Sequence, residues 1–216
     1  MVSSEAQVYF INGYGHDVWM DVVAIGDDKT GYDFELQRDK SKAPVQRQRY
    51  YGSFLDVTLL PPGADWDTLP ERYTIWFYEN DFVGDGEPIH EYEYRDKKTN
   101  KPLNDGSHIV IVNRAYEGTD DLGVLMHDFH CTSPDDMQDG ILRERCEYLK
   151  NTEGGRKEVD DIYRKEIDAE VAARVYAEKV DMVKNAYKNG ILPDVIATVT
   201  KFSVEKVREI LGLQMA

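Results

Sequence analysis

The sequence predicts an α/β fold in which a mixed β-sheet is flanked by helices and followed by a helical tail. Three observations point there. Short β-branched and aromatic runs separated by glycine-bearing turns fill the first third, further runs of the same kind follow an amphipathic helical stretch, and from residue 153 acids and bases alternate densely around apolar residues at four-residue steps. With 216 residues, 41% hydrophobic and 31% charged, the chain can bury one ordinary core plus a smaller appendage. The division expected is an α/β core over residues 1–150 and a helical tail over 151–216.

Strands are expected at Gln7 to Ile11, Val18 to Ile25 and Tyr32 to Gln37, with Gly13/Gly15 and the segment 26–31 as the intervening turns. Pro44 suits a first helical turn. From Val45 to Leu60 the apolar residues Tyr50, Phe54 and Val57, with Tyr51 beside them, recur at helical spacing until Pro61-Pro62-Gly63 stops the helix. Tyr73 to Tyr78 has the composition of a central strand, and Ile89 to Tyr94 and His108 to Val112 read as two more. Helices are expected over Leu122 to Phe129 and over Asp135 to Leu149, the second started by Ser133-Pro134. The charged helix from Glu153 to Lys188 carries one apolar stripe, Tyr163, Ile167, Val171 and Val175, continued by Val180, Val183 and Tyr187. Pro193 to Thr200 and Ser203 to Leu211 resemble a small helix-turn-helix with Ser203 as N-cap.

A net charge of −15 argues against a protein that coats nucleic acid, since nonspecific affinity comes from Lys and Arg neutralising phosphates. The charge is uneven, however. Arg38, Lys40, Lys42, Arg47 and Arg49 face a single acid, Asp39, and form a basic strip able to follow a phosphate backbone. No apolar run reaches the roughly 18 residues of a membrane span, and no basic-then-apolar leader opens the chain. A soluble, cytoplasmic protein without a membrane partner is therefore expected. Cys131 and Cys146 fall outside any zinc or disulfide spacing and read as reduced thiols. The histidines show no HxH or HxxxH pairing, His16 reads as polar surface, and no nucleophile elbow or nucleotide-binding glycine motif is present.

The hairpin carries the chemistry. If Val18 to Ile25 pairs symmetrically with Tyr32 to Gln37, Asp21 lies opposite Glu35 at a Cβ separation of about 4.5–5.5 Å, where two like charges are unfavourable without a positive partner. A divalent cation would offset them. Gln37 projects from the face of Glu35, and Leu36 between them can offer its carbonyl. Two carboxylates, a carbonyl and water form a hard oxygen site for Mg²⁺ or Mn²⁺. Spacing alone leaves open the alternative that these acids line the polar face of an exposed hairpin. Asp33 also shares the Glu35 face, and Asp27 and Asp28 read as turn formers.

The stretch Asp17 to Ile25, then Tyr32-Asp-Phe-Glu35-Leu-Gln37-Arg38, then Arg47-Gln-Arg49-Tyr50-Tyr51 to Asp56 resembles the transposase-like, recombination-promoting branch of the PD-(D/E)xK nucleases. The likeness continues through Leu59 to Pro70, Tyr73 to Tyr78, Asp81-Phe82, Gly84-Asp85-Gly86 and Asn104 to Asn113, covering roughly residues 12 to 150. It implies a restriction-endonuclease-like core with Asp21 and Glu35 as metal ligands and Gln37 in the slot of the superfamily lysine. Glutamine can orient a water or phosphate but supplies no charge there. Arg49 and Tyr50 are then phosphate-side or supporting groups. Relatives carry a helical segment before the first strand, where a further metal-binding acid often sits; here Met1 to Ala6 precede it and Glu5 is a poor substitute. The resemblance implies Mg²⁺-assisted hydrolysis of DNA phosphodiesters linked to recombination or mobile elements; the helical tail is read separately as mediating self-association or contacting DNA. The alternative is a catalytically inactive nuclease fold kept as a regulatory or DNA-binding module.

Overall fold

The computed structural model describes residues 3–10, 16–38 and 44–213. In chain order it runs β1 (Ser3–Phe10), β2 (Val18–Ile25), β3 (Gly31–Gln37), α1 (Val45–Leu59), β4 (Arg72–Tyr78), β5 (Ile89–Tyr92), β6 (Ser107–Asn113), α2 (Asp121–His130), α3 (Gly140–Asn151), α4 (Glu153–Lys188), α5 (Pro193–Thr200) and α6 (Val204–Leu211). Two compact units arise, residues 1–8 with 19–162 and residues 9–18 with 163–216.

The first unit holds a mixed six-stranded sheet in the order β1-β2-β3-β4-β6-β5. β2 and β3 form an antiparallel hairpin, β3, β4 and β6 run parallel, and β5 closes the edge antiparallel to β6. The hairpin turn is shaped by Asp28, whose carboxylate accepts from the Thr30 amide at 3.0 Å, while Lys29 takes the left-handed region at φ 73°. Alternation then divides the sheet's side chains. Phe34, Ile75, Phe77, Val110 and Val112 meet Leu122, Leu125, Met126 and Phe129 of α2 on one face. On the other face α1 lies over β3 and β4, with the Tyr51 and Trp76 rings 5.5 Å apart and Leu55 fully buried. Helices on both faces of this mixed sheet make this an α/β fold, the architecture expected from the sequence.

Three expectations are corrected. The inward face of α1 is Gln48, Tyr51, Gly52 and Leu55, whereas Val57 is exposed and Tyr50 and Phe54 are half-buried. The helix is turned because it faces polar strand positions, and Gln48 donates to the Tyr78 hydroxyl at 2.8 Å. The single helix expected over Asp135 to Leu149 is instead a 3-10 turn, Pro134–Asp136, followed by α3 starting at Gly140. Ser133 caps only the turn. The buried Asp128 carboxylate accepts from the Gln138 and Asp139 amides, and the Asp139 side chain then caps α3. β5 also ends at Tyr92, two residues short of the strand expected.

In the second unit, Val183 of α4, Ile196 and Ala197 of α5 and Val207 of α6 form a small core, with Phe202, Val204 and Ile210 packed on it. The α5–α6 corner turns at Lys201 (φ 60°), and the Ser203 hydroxyl accepts from the Lys206 amide at 3.1 Å, the expected cap. No helix among the described residues is long and apolar enough to cross a membrane.

Candidate carboxylate site

The β2–β3 register pairs Val22 with Phe34, and its continuation puts Asp21 opposite Glu35. Reciprocal hydrogen bonds tie the two acids together: the Asp21 amide donates to Glu35 Oε1 and the Leu36 amide to Asp21 Oδ2, both at 2.9 Å. Gln37 Nε2 donates to Glu35 Oε2 at 3.3 Å. Asp21, Glu35 and Gln37 are thus brought together, Asp21 midway along β2 and Glu35 and Gln37 at the end of β3, beneath the first turns of α1.

Asp33 and Glu35 both have zero exposure. They alternate with Phe34 on β3 and so share the face covered by α1. Neither Asp33 oxygen has a hydrogen-bond partner. Burial first, then the neighbouring charges of Asp33 and Asp21, push the Glu35 carboxyl far above the ordinary range. Asp33 is pushed up by burial and by Asp21, against the opposing pull of Glu35, Arg47 and Arg72, and Asp21 by burial against the Leu36 amide and Arg47. The cluster's three carboxyls therefore outnumber the nearby cations Arg47 and Arg72.

Arg47 is the nearest cation, its Nη2 lying 3.8 Å from Glu35 Oε2. The same nitrogen donates to the Tyr51 hydroxyl at 2.7 Å, and the guanidinium lies over the Tyr51 and Trp76 rings at 4.7 and 5.6 Å. Arg47 thus joins the carboxylates and leaves the basic strip. Arg38 and Arg49 are exposed, Tyr50 is half-buried against Phe54 at 5.2 Å, and Lys40 and Lys42 lie outside the described residues. Leu36 is 45% exposed and turns its side chain away from the cluster, as its position between Glu35 and Gln37 requires.

The donor set fits a hard divalent cation. Three carboxyls crowd one buried face, one has both oxygens without partners, and every shift among them runs toward protonation, the condition a bound cation reverses. The surrounding wall, Gln48, Tyr51, Trp76 and Tyr78, was not singled out from sequence. Parallel register places Trp76 beside Glu35 and Tyr78 beside Gln37. Arg47 and Tyr51, four residues apart on one helix face, were the available signal.

Fold and site together define a nuclease-type α/β core with an acidic centre on the hairpin beside its parallel strands. Residues 12–115 match the family model described as a PD-(D/E)XK nuclease family transposase, and this segment carries β2 to β6 and every carboxylate of the site. No curated protein and no solved structure matches the chain.

Proposed function

We propose that the chain is a Mg²⁺- or Mn²⁺-dependent DNA endonuclease serving recombination or mobile elements. The observation that supports this most is the buried carboxyl cluster in which Asp21 and Glu35 are locked together by reciprocal backbone amides while burial and carboxyl crowding outweigh the pull of Arg47. Asp21 and Glu35 would hold the ion, with the Leu36 carbonyl as a further oxygen donor. The ion, when bound, would polarise the scissile phosphodiester and make its water more acidic. Gln37, whose amide already reaches Glu35, orients by hydrogen bonding, and Arg47 supplies the positive charge that Gln37 lacks. Arg38, Arg49, Tyr50, Lys40 and Lys42 are proposed to follow the DNA backbone next to the site.

Nicking of supercoiled plasmid in Mg²⁺ or Mn²⁺ tests the reading. Activity should disappear with EDTA and in Asp21→Ala and Glu35→Ala; equal cleavage by wild type and both variants would refute it. The second reading, a non-catalytic DNA-binding or regulatory module, is favoured by the partners Glu35 already has in Asp21, Gln37 and Arg47. It predicts no Asp21-dependent heat of Mg²⁺ or Mn²⁺ binding by titration calorimetry.

A further inference from the structure

A second group of metal-ligating side chains lies away from the carboxylate cluster, at the C-terminal end of α2. One ligand atom each from His127, Asp128 and Cys131 fall within 4.8 Å of one another. His127 Nδ1 is the hub, 2.9 Å from Asp128 Oδ1 and 3.7 Å from Cys131 Sγ. Bonds of about 2.0 Å to nitrogen or oxygen and about 2.3 Å to sulfur, spread tetrahedrally, hold their donors roughly 3.3–3.6 Å apart. The two separations from His127 Nδ1 bracket that spacing, and the third, between Asp128 and Cys131, lies within 4.8 Å. His127 and Cys131 are four residues apart and so share one side of the helix end.

The surroundings supply a separate indication. His127 and Cys131 line a cavity of about 720 Å³, together with Arg114, Tyr116, His130 and Gln138. Asp128 sits beneath, 1% exposed, and is held rigidly by the Gln138 and Asp139 amides at 2.8–3.1 Å. A site with one buried, fixed ligand and two ligands on a cavity wall leaves its remaining position facing open space. The helix terminus adds favourable negative dipole character for a cation.

We infer that His127, Asp128 and Cys131 form a second metal site, for a Zn²⁺-class ion, with its fourth position open to this cavity. Mixed sulfur, nitrogen and oxygen donors select such an ion over Mg²⁺, which prefers oxygen alone. The ion takes the place of the proton between His127 Nδ1 and Asp128 Oδ1, and that proton passes through solvent to Nε2, so that the neutral imidazole binds as its Nε2–H tautomer. The Cys131 thiol, which donates to the His127 and Asp136 carbonyls at 3.5 Å, gives its proton to solvent and binds as thiolate. The order of the 134–139 segment would then depend on the ion as well as on Asp128.

Titration of the full chain with Co²⁺ as a spectroscopic stand-in tests this. One equivalent should produce the near-ultraviolet thiolate-to-cobalt band and tetrahedral visible bands, and Zn²⁺ should displace them. Cys131→Ser and His127→Gln should each lose the near-ultraviolet band or weaken binding severely, with circular dichroism verifying that each variant is folded. Cys146→Ser and Asp21→Ala should leave the spectrum unchanged, which separates this site from the proposed nuclease centre. Absence of the band in wild type, its survival in Cys131→Ser, or its loss in Cys146→Ser would each overturn the assignment.

Discussion

Replacing Asp33 by Asn removes a carboxylate whose two oxygens are buried and have no hydrogen-bond partner, so no donor loses its acceptor. Deep burial lifts a carboxyl pKa by up to roughly 3–5 units; Arg47 and Arg72 pull against this, while Asp21 adds to it. The carboxyl is pushed up from 3.8 to about 7, a lift of about three units that at about 1.4 kcal/mol each places the penalty on the order of 4 kcal/mol. Its sign follows from linkage. Because the folded carboxyl titrates above its ordinary value of 3.8, the unfolded chain ionises first as pH rises, so the apo protein loses stability upward from about pH 4 until the folded group also ionises. Asp33→Asn should therefore match wild type near pH 3.5 and exceed it increasingly toward pH 8. At roughly 2–4 °C per kcal/mol, the gain in Tm in EDTA at pH 8 is about 8–16 °C. Thermal melts followed by circular dichroism across this range, with and without Mg²⁺, provide the measurement. Added Mg²⁺ should narrow the gap, since a cation beside the cluster favours the ionised carboxyls of wild type. A variant less stable than wild type at pH 8 without metal would show that Asp33 is satisfied by its neighbours, Arg72 foremost, and would refute the account of a charge-deficient site.

Four other outcomes follow from particular contacts. Gly52→Ala in α1 puts a Cβ 2.4 Å from Arg72 Nη1, displacing the guanidinium that pairs with Asp56 at 2.8 Å; a loss of about 1–3 kcal/mol in urea unfolding is expected, where an exposed site would gain about 1 from helix propensity. Gln37→Lys brings an ammonium to Glu35 Oε2 and should move the alkaline rise of Mg²⁺-dependent nicking to lower pH, while an unchanged pH profile would remove Gln37 from the site. Tyr163, Ile167, Val171 and Val175 are 45–61% exposed along α4, and Ile167→Lys with Val171→Glu should lower the mass seen by light scattering if this stripe pairs two copies; an unchanged mass counts against self-association. Lys201, Lys206 and Arg208 changed together to Ala should leave low-salt DNA affinity nearly intact, because Lys206 is engaged with Glu209 at 2.8 Å, whereas Arg38→Ala with Arg49→Ala should weaken it; the reverse pattern would make the α5–α6 pair the DNA reader.

The hairpin was legible because two-residue periodicity and a turn centred near Asp28 determine which side chains meet, and the pairing of Val22 with Phe34 is the register those signals require. A symmetric pairing brings Asp21, Glu35 and Gln37 together, and the family resemblance singles them out from the other acids of the hairpin. What lay above them was not legible in this way. A helix over an apolar sheet shows its inward face as a hydrophobic stripe, but α1 covers carboxylates, so its inward side mixes Gln48 and Arg47 with Tyr51 and Leu55, and Tyr50, Phe54 and Val57 formed a clearer stripe on another side. The start of α3 was hidden for a related reason. Asp128 fixes the Gln138 and Asp139 amides across ten and eleven residues, a bond made only after the chain folds back, and local capping rules see Ser133-Pro134 instead. In both places buried polar groups satisfy one another over long sequence separations, and such pairing leaves no periodic trace. The basic strip divides by the same physics: Arg47 is drawn inward because Glu35 and two aromatic faces offer it more than water does, while Arg38 and Arg49, with no buried acid to meet, stay where DNA could reach them. A charge pattern in sequence therefore locates cations near a site, and the acids they must neutralise decide which one enters it.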